Sequence, residues 1–159
     1  MARINIRERG VLRLQRRFNR MAKSLRNRRP MFTRIGISVM NDISNNFTDE
    51  AHQGDPWRRL SQTTIDARRR SGGPIRPKIL QDSGDLRKSF TRAGGNPKVT
   101  NNEVKVGSNV PYAPKHEFGD AGPPRIPRRQ ILPSELRGLQ IATREITITI
   151  RRAIAGAGL

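Results

Sequence analysis

The chain has 159 residues, with 32 Lys and Arg against 13 Asp and Glu for a formal net charge of +19. That length fits one domain, but 33% hydrophobic and 4% aromatic residues leave material for only a small core. No apolar run reaches the roughly 18–20 residues of a membrane span, arginines interrupt any leader-like stretch near Met1, and the absence of cysteine excludes disulfide scaffolds, Cys-ligated zinc and thiol catalysis.

The charge is unevenly placed. Residues 1–34 hold 12 basic residues and one acid, Glu8, whereas residues 35–159 hold 20 basic and 12 acidic ones. Within residues 6–28, Ile6, Val11, Leu14, Phe18, Met21, Ala22 and Leu25 are set among arginines, and from Val11 the steps are of three and four, a helical stripe. The opposite face carries Arg9, Arg13, Arg16, Arg17, Arg20 and Lys23. This face is either a solvated side of a helix packed by its stripe or a surface for DNA or an acidic partner. Pro30 stops this helix and suits the first turn of the next.

A second helix is predicted over 31–50, with Phe32, Ile35, Val39, Ile43 and Phe47 as the stripe of the central core helix. Gly54 and Pro56 then fix a turn, and Trp57, the only tryptophan, reads as a packing anchor. Ser61 is an N-cap for a short helix through Arg70, which Ser71-Gly72-Gly73-Pro74 breaks. Asp82-Ser83-Gly84 turns into a short helix or strand bearing Leu86 and Phe90, and Gly94-Gly95-Asn96-Pro97 turns again. Segment 98–108 alternates, with Val104 and Val106 inward, as a half-exposed strand does. A Gly/Pro-rich loop follows, from Asp120 to Pro127, with Arg125, Arg128 and Arg129 along it. Pro133-Ser134-Glu135 opens a C-terminal helix whose stripe is Leu136, Leu139, Ala142, Ile146, Ile150 and Ile154; the alternation at 146–150 keeps a strand open there. The predicted architecture is α+β: a small antiparallel sheet packed against a long core helix, with a basic N-terminal helix and a C-terminal helix. Residues 1–29 form a basic helical arm and 30–159 a single α+β domain.

Catalytic chemistry finds no footing. His52 and His116 are 64 positions apart, outside any metal-ligand spacing. His116-Glu117 beside Asp120 reads as a loop histidine next to surface acids rather than an acid/base cluster. No Gly-Lys-Ser/Thr phosphate loop occurs, and Ser71, Ser83 and Ser108 lie in turns without a nucleophile elbow. The expectation is a protein that is not an enzyme and takes neither cofactor nor metal.

From Phe47 onward the order of motifs resembles the phage virion morphogenesis family, the tail-completion proteins of Mu-like and related contractile-tailed phages. Phe47 ends a helix and is followed by a Gly-containing loop into Pro56-Trp57 and Leu60, with Thr64 in the next helix. Ile79 through Leu86, with Leu80 and Gly84 inside it, resembles I-L-x-x-[ST]-G-x-L; Val104-Lys105-Val106-Gly107-Ser108 resembles a valine strand ending in Gly-Ser/Thr. Tyr112-Ala113, His116 and Phe118-Gly119 resemble Y-A-x-x-H-x-x-G, and Ile126-Pro127-Arg128-Arg129-Gln130-Ile131-Leu132 resembles I-P-x-R-x-[FW]-L, with Ile131 where an aromatic is common. The match spans residues 47–132, about half of the chain, and leaves the basic arm outside.

These motif residues (Phe47, Trp57, Leu80, Gly84, Leu86, Gly107, Tyr112, Ala113, His116, Gly119, Pro127, Arg129 and Leu132) read as structural. Gly84, Gly107 and Gly119 suit positive φ or close backbone approach, and Tyr112 suits a buried ring whose hydroxyl reaches a backbone group. The resemblance implies a structural virion protein of the head–tail junction, located in the neck of the particle and made in the host cytoplasm. It further implies a homo-oligomeric ring, a hexamer in preference to a dodecamer. The implied partners are the head connector, the tail terminator or tail tube, and packaged DNA held without sequence preference; no membrane is involved. The charge alone leaves a second reading, a stand-alone basic nucleic-acid-binding protein.

Overall fold

The computed structural model describes residues 8–122 and 125–158, with Glu8 and Arg9 described by backbone alone. Ile6 and the Arg9 side chain, both read as part of the arm, lie outside the described residues. The fold is α+β, built of helices around two small antiparallel hairpins.

Helix α1 (Glu8–Arg26) ends at Asn27, and α2 (Arg29–Asp49) begins with Pro30 in its first turn, where a missing N–H is harmless. The stripe read in the sequence is the buried one: Ile35, Ile43 and Phe47 are in the core, with Val39 packed against it. Gly36 adds a close approach. A methyl group there would lie 2.5 Å from Pro97 Cβ and 2.9 Å from Val104 Cγ2, so only glycine lets the second hairpin sit on α2.

The first hairpin pairs β1 (Ala51–His52) with β2 (Asp55–Pro56) and delivers Trp57 into the core. Its ring meets Phe47 edge-on at 5.6 Å, as expected of an anchor. Ser61 caps α3 (Gln62–Arg70), its Oγ accepting from Thr64 N–H at 3.2 Å. Gly84, at φ 80, opens α4 (Asp85–Ser89), which with Phe90 puts Leu86 and Phe90 in the core. Leu80 also takes a left-handed backbone, φ 58, which a leucine adopts at some strain; its side chain is buried in the same cluster.

The expected strand at 98–108 is instead a hairpin of β3 (Lys98–Val99) and β4 (Val104–Lys105). Asn96 holds its base: its side chain donates to the Ser89 and Gly107 carbonyls and accepts from the Gly107 N–H. Gly107 therefore has neither positive φ nor a crowded Cβ position, contrary to expectation; its backbone is satisfied by Asn96.

After α5 (Ala113–Phe118) and a bridge from Asp120 to Ile126, residues 128–132 carry no regular secondary structure, and among the described residues no strand pairs with them, yet Arg129 and Ile131 are buried. Side chains take the place of the missing ladder. Glu117 Oε2 accepts from the N–H groups of Ile131 and Leu132 at 2.7 and 3.1 Å. Trp57 Nε1 donates to Gln130 O at 2.9 Å, Asn46 Nδ2 to Ile131 O at 3.0 Å, and His52 Nε2 to Leu132 O at 3.0 Å. The Arg129 N–H donates to His116 O at 2.7 Å. Ile131 ends up 1% exposed. Glu117 is thus a buried backbone acceptor and not the surface acid expected from its loop.

Helix α6 (Glu135–Ala157) starts at the Ser134 N-cap and excludes the strand alternative. Its orientation differs from expectation. The face toward α2 mixes the buried Ile141 with polar groups, Glu145 and Thr149, which meet Ser38 and Arg34. Ion pairs cross there, Arg137 to Asp42 at 2.8 Å and Arg34 to Glu145 at 3.4 Å. At 100° per residue, Leu136, Leu139, Ile146, Ile150 and Ile154 lie roughly on the other side, and all five are exposed.

Glu117→Ala should leave two N–H groups of this segment without an acceptor and lower unfolding stability by about 2–4 kcal/mol. Glu117→Gln, which keeps an acceptor oxygen, should lose about 1 kcal/mol. Urea unfolding followed by Trp57 fluorescence checks both.

Candidate functional site

Three surface features could do work. The first is α1. Arg13, Arg16, Arg17, Arg20 and Lys23 are all exposed along it, as the sequence pattern requires. Arg20 Nη2 donates to Ala157 O at 3.3 Å, and the Arg17 guanidinium lies beside Gly158, so these two also face the carbonyl end of α6, where a cation is favoured. The stripe of α1 does not pack as expected. Only Met21 and Leu25 are half-buried, whereas Val11, Leu14 and Phe18 stay exposed. The helix meets the body only through its C-terminal half, because α6 ends beside Arg17 and Arg20.

The second feature is the outward stripe of α6. Together with the apolar edge of α1 it leaves two helices of one subunit showing leucine, isoleucine and phenylalanine to solvent. Exposed apolar side chains in a row along a helix mark an interaction face.

The third is a cleft of about 1240 Å³ between the start of α3, the 82–86 turn, α5 and the segment 125–129. Sequence reasoning missed it, since nothing in the Arg58-Arg59 pair or in Arg68 signals that they meet Arg129. Arg129 is 6% exposed. Its Nε and Nη2 donate to the Arg58 and Arg59 carbonyls at 2.9 and 3.3 Å, which fixes the guanidinium, and the residue lines the cleft. Burial, and then repulsion from Arg58 and Arg68, hold it below its ordinary pKa. His116 is lowered too, first by burial and then by Arg129, and its Nδ1 is buried with no partner among the described residues. At the rim, Asp120 pairs with Lys115 at 2.9 Å, and the Gly122 N–H and Lys115 together hold its carboxyl below the usual range. Tyr112 is 41% exposed and stands edge-on to His116 at 5.9 Å, so its ring is not buried as expected.

The sequence motifs therefore divide. Phe47, Trp57, Leu80, Leu86 and Ala113 form one core cluster with Leu132 packed on it. Tyr112, His116, Gly119, Pro127 and Arg129 line the cleft with Gly84. Gly119, at φ 82, lets α5 end within reach of the Arg128 backbone; a Cβ there would lie 3.2 Å from Arg128 N.

The sequence profile of the phage virion morphogenesis family matches residues 11–153, from the first apolar residue of α1 almost to the end of α6. The chain belongs to the phage virion morphogenesis family. The match is wider than the motifs alone, and it takes in most of the basic helix that they leave outside. No curated protein and no solved structure matches the chain. A role in building the phage virion follows from membership, and the protein is virion-associated. The family is structural and not known for catalysis. No helix among the described residues is long and apolar enough to cross a membrane.

The lowered pKa of His116 gives a signed expectation. The unfolded chain takes up the proton near pH 6.5 and the folded one only at lower pH, so stability falls as pH drops below about 6.5 and levels off beneath the folded value. His116→Gln should flatten this part of the curve, read by urea midpoints between about pH 7.5 and pH 5.

Proposed function

We propose that this virion morphogenesis protein is a subunit of the head–tail junction, closing into a ring between the head connector and the tail around the DNA path. Six copies are favoured over twelve. The observation that carries the reading is that α6 and α1 each leave an apolar stripe exposed. Two different greasy faces on one subunit suit a heterologous, head-to-tail contact, which closes a ring when the rotation per copy allows. The ion-paired seam between α2 and α6 keeps the stripe pointing outward in the free subunit.

The charge sets the second half of the reading. Each copy carries +19, so an assembly of copies repels itself until a polyanion or acidic protein surface joins it. Arg13, Arg16 and Lys23 on α1 are the natural contacts to DNA in the lumen, with Arg17 and Arg20 shared with the end of α6. Such contacts to phosphate carry no sequence information. The partner proteins on either side are the head connector and the tail terminator or tail tube. The basic segment 1–29, which contains α1, acts as an arm, and the remainder as the body of the subunit.

Ile146→Asp with Ile150→Asp should leave the fold almost unchanged, about 0.5 kcal/mol per exposed site, and abolish the ring-sized species in sedimentation velocity. Retention of that species would place the seam elsewhere. Deletion of residues 1–28 should reduce DNA retention in assembled junctions. With DNA as the arm's partner, log affinity should fall with log salt at a slope of about −0.9 per phosphate neutralised. A chain that stays monomeric under all conditions and binds DNA tightly would return the stand-alone nucleic-acid reading.

A further inference from the structure

The cleft beneath α5 is too well built to be an incidental groove. A buried guanidinium is normally met by a carboxylate, because removing a charge from water is expensive unless it is paired. Arg129 is buried and accepts only neutral compensation, the two carbonyls of Arg58 and Arg59. No ion pair is made to it among the described residues. Six arginines line the cleft against three aspartates, and two of those aspartates are already engaged, Asp82 with Arg68 at 3.2 Å and Asp120 with Lys115. Beside Arg129, His116 Nδ1 is buried without a partner. The site lacks an anion.

The rest of the lining says what kind. Leu80, Leu86 and Ile126 contribute apolar wall, and Phe118 stands at the rim 74% exposed. A volume of about 1240 Å³ exceeds the roughly 300–1000 Å³ of small-molecule pockets and suits several residues of polypeptide. A DNA duplex is too wide to enter. A single strand would answer the charge but brings no aliphatic side chain to the apolar wall of Leu80, Leu86 and Ile126. A second copy of this chain is a poor occupant, with 13 acids among 32 basic residues.

We propose that this cleft is a docking site for a segment of another protein in which an acidic side chain, flanked by apolar residues, inserts to pair with Arg129. Arg58 and Arg125 at the mouth steer the segment in, and the exposed face of Phe118 packs on its apolar flank. The site stands apart from the apolar stripe of α6 and from the basic face of α1, so it serves a contact that neither the ring nor the DNA path explains.

The test uses the purified full chain at about 0.15 M salt and the fluorescein-labelled peptide Gly-Ser-Leu-Asp-Glu-Leu-Ser-Gly, read by anisotropy. Saturable binding is expected below about 1 mM, at least tenfold weaker for the Asn-Gln version of the peptide. Arg58→Glu with Arg125→Glu, both exposed positions, should weaken it at least tenfold while leaving the melting curve intact. Arg129→Lys should weaken it less than Arg129→Gln, and the exposed pair covers the case in which Arg129→Gln fails to fold. Reversal of α1 charge by Arg13→Glu and Arg16→Glu should leave binding unchanged. Absence of saturable binding, equal binding of the two peptides, or loss on α1 reversal but not on cleft substitution would overturn the proposal. So would displacement of the peptide by a dT oligonucleotide of the same length but not by unlabelled peptide. None of these outcomes bears on ring formation, which the α6 variants read separately.

Discussion

The segment 128–132 buries Arg129 and Ile131 without regular secondary structure and, among the described residues, without a neighbouring strand. Buried backbone groups without partners are among the most damaging features a fold can contain. Here Glu117, Trp57, Asn46 and His52 supply the partners, from three parts of the chain. Those four side chains fasten α5, the first hairpin and the end of α2 to one strip of main chain. With a small core and two hairpins of two-residue strands, this polar clamp adds to apolar burial in holding the elements together.

The same clamp positions the surfaces. The hydrogen bond from the Arg129 N–H to His116 O fixes the back of the cleft, and the turn after Gly119 returns the chain to it. Farther along, Leu132 leads through Pro133 into the Ser134 cap, which sets where α6 begins and which of its faces meets α2. Ion pairs and Ile141 occupy that seam, and the leucine and isoleucine stripe stays exposed. The subunit thus buries polar groups within its core and leaves long apolar side chains exposed on α6 and α1, a distribution that fits the proposed assembly with neighbours.

Much of this was legible in the sequence. Helix α2 was, because Ile35, Ile43 and Phe47 repeat at helical spacing and nothing competes for that face. The caps at Ser61 and Ser134 were, because their signals are local. The outward stripe of α6 was not. Periodicity reports that a helix has an apolar face, and it is silent on whether that face meets its own chain or another. Glu117 misled for a related reason: a carboxylate in a Gly/Pro-rich neighbourhood reads as solvated, and only the fold brings Ile131 and Leu132 to it. Arg58, Arg68 and Arg129 are far apart in the chain and carry no spacing signal, so the cleft emerges only in three dimensions. The family motifs did mark its lining, without saying that Tyr112, His116 and Arg129 share one cavity.

The most direct test of the central claim is an electron cryo-microscopy image of the assembled particle at a resolution that traces helices. The account predicts a closed ring of this chain where head meets tail, with α6 of each copy buried at the seam by its leucine and isoleucine stripe and α1 turned toward the genome. A particle in which the chain sits elsewhere, or in which that stripe faces solvent in every copy, would contradict it.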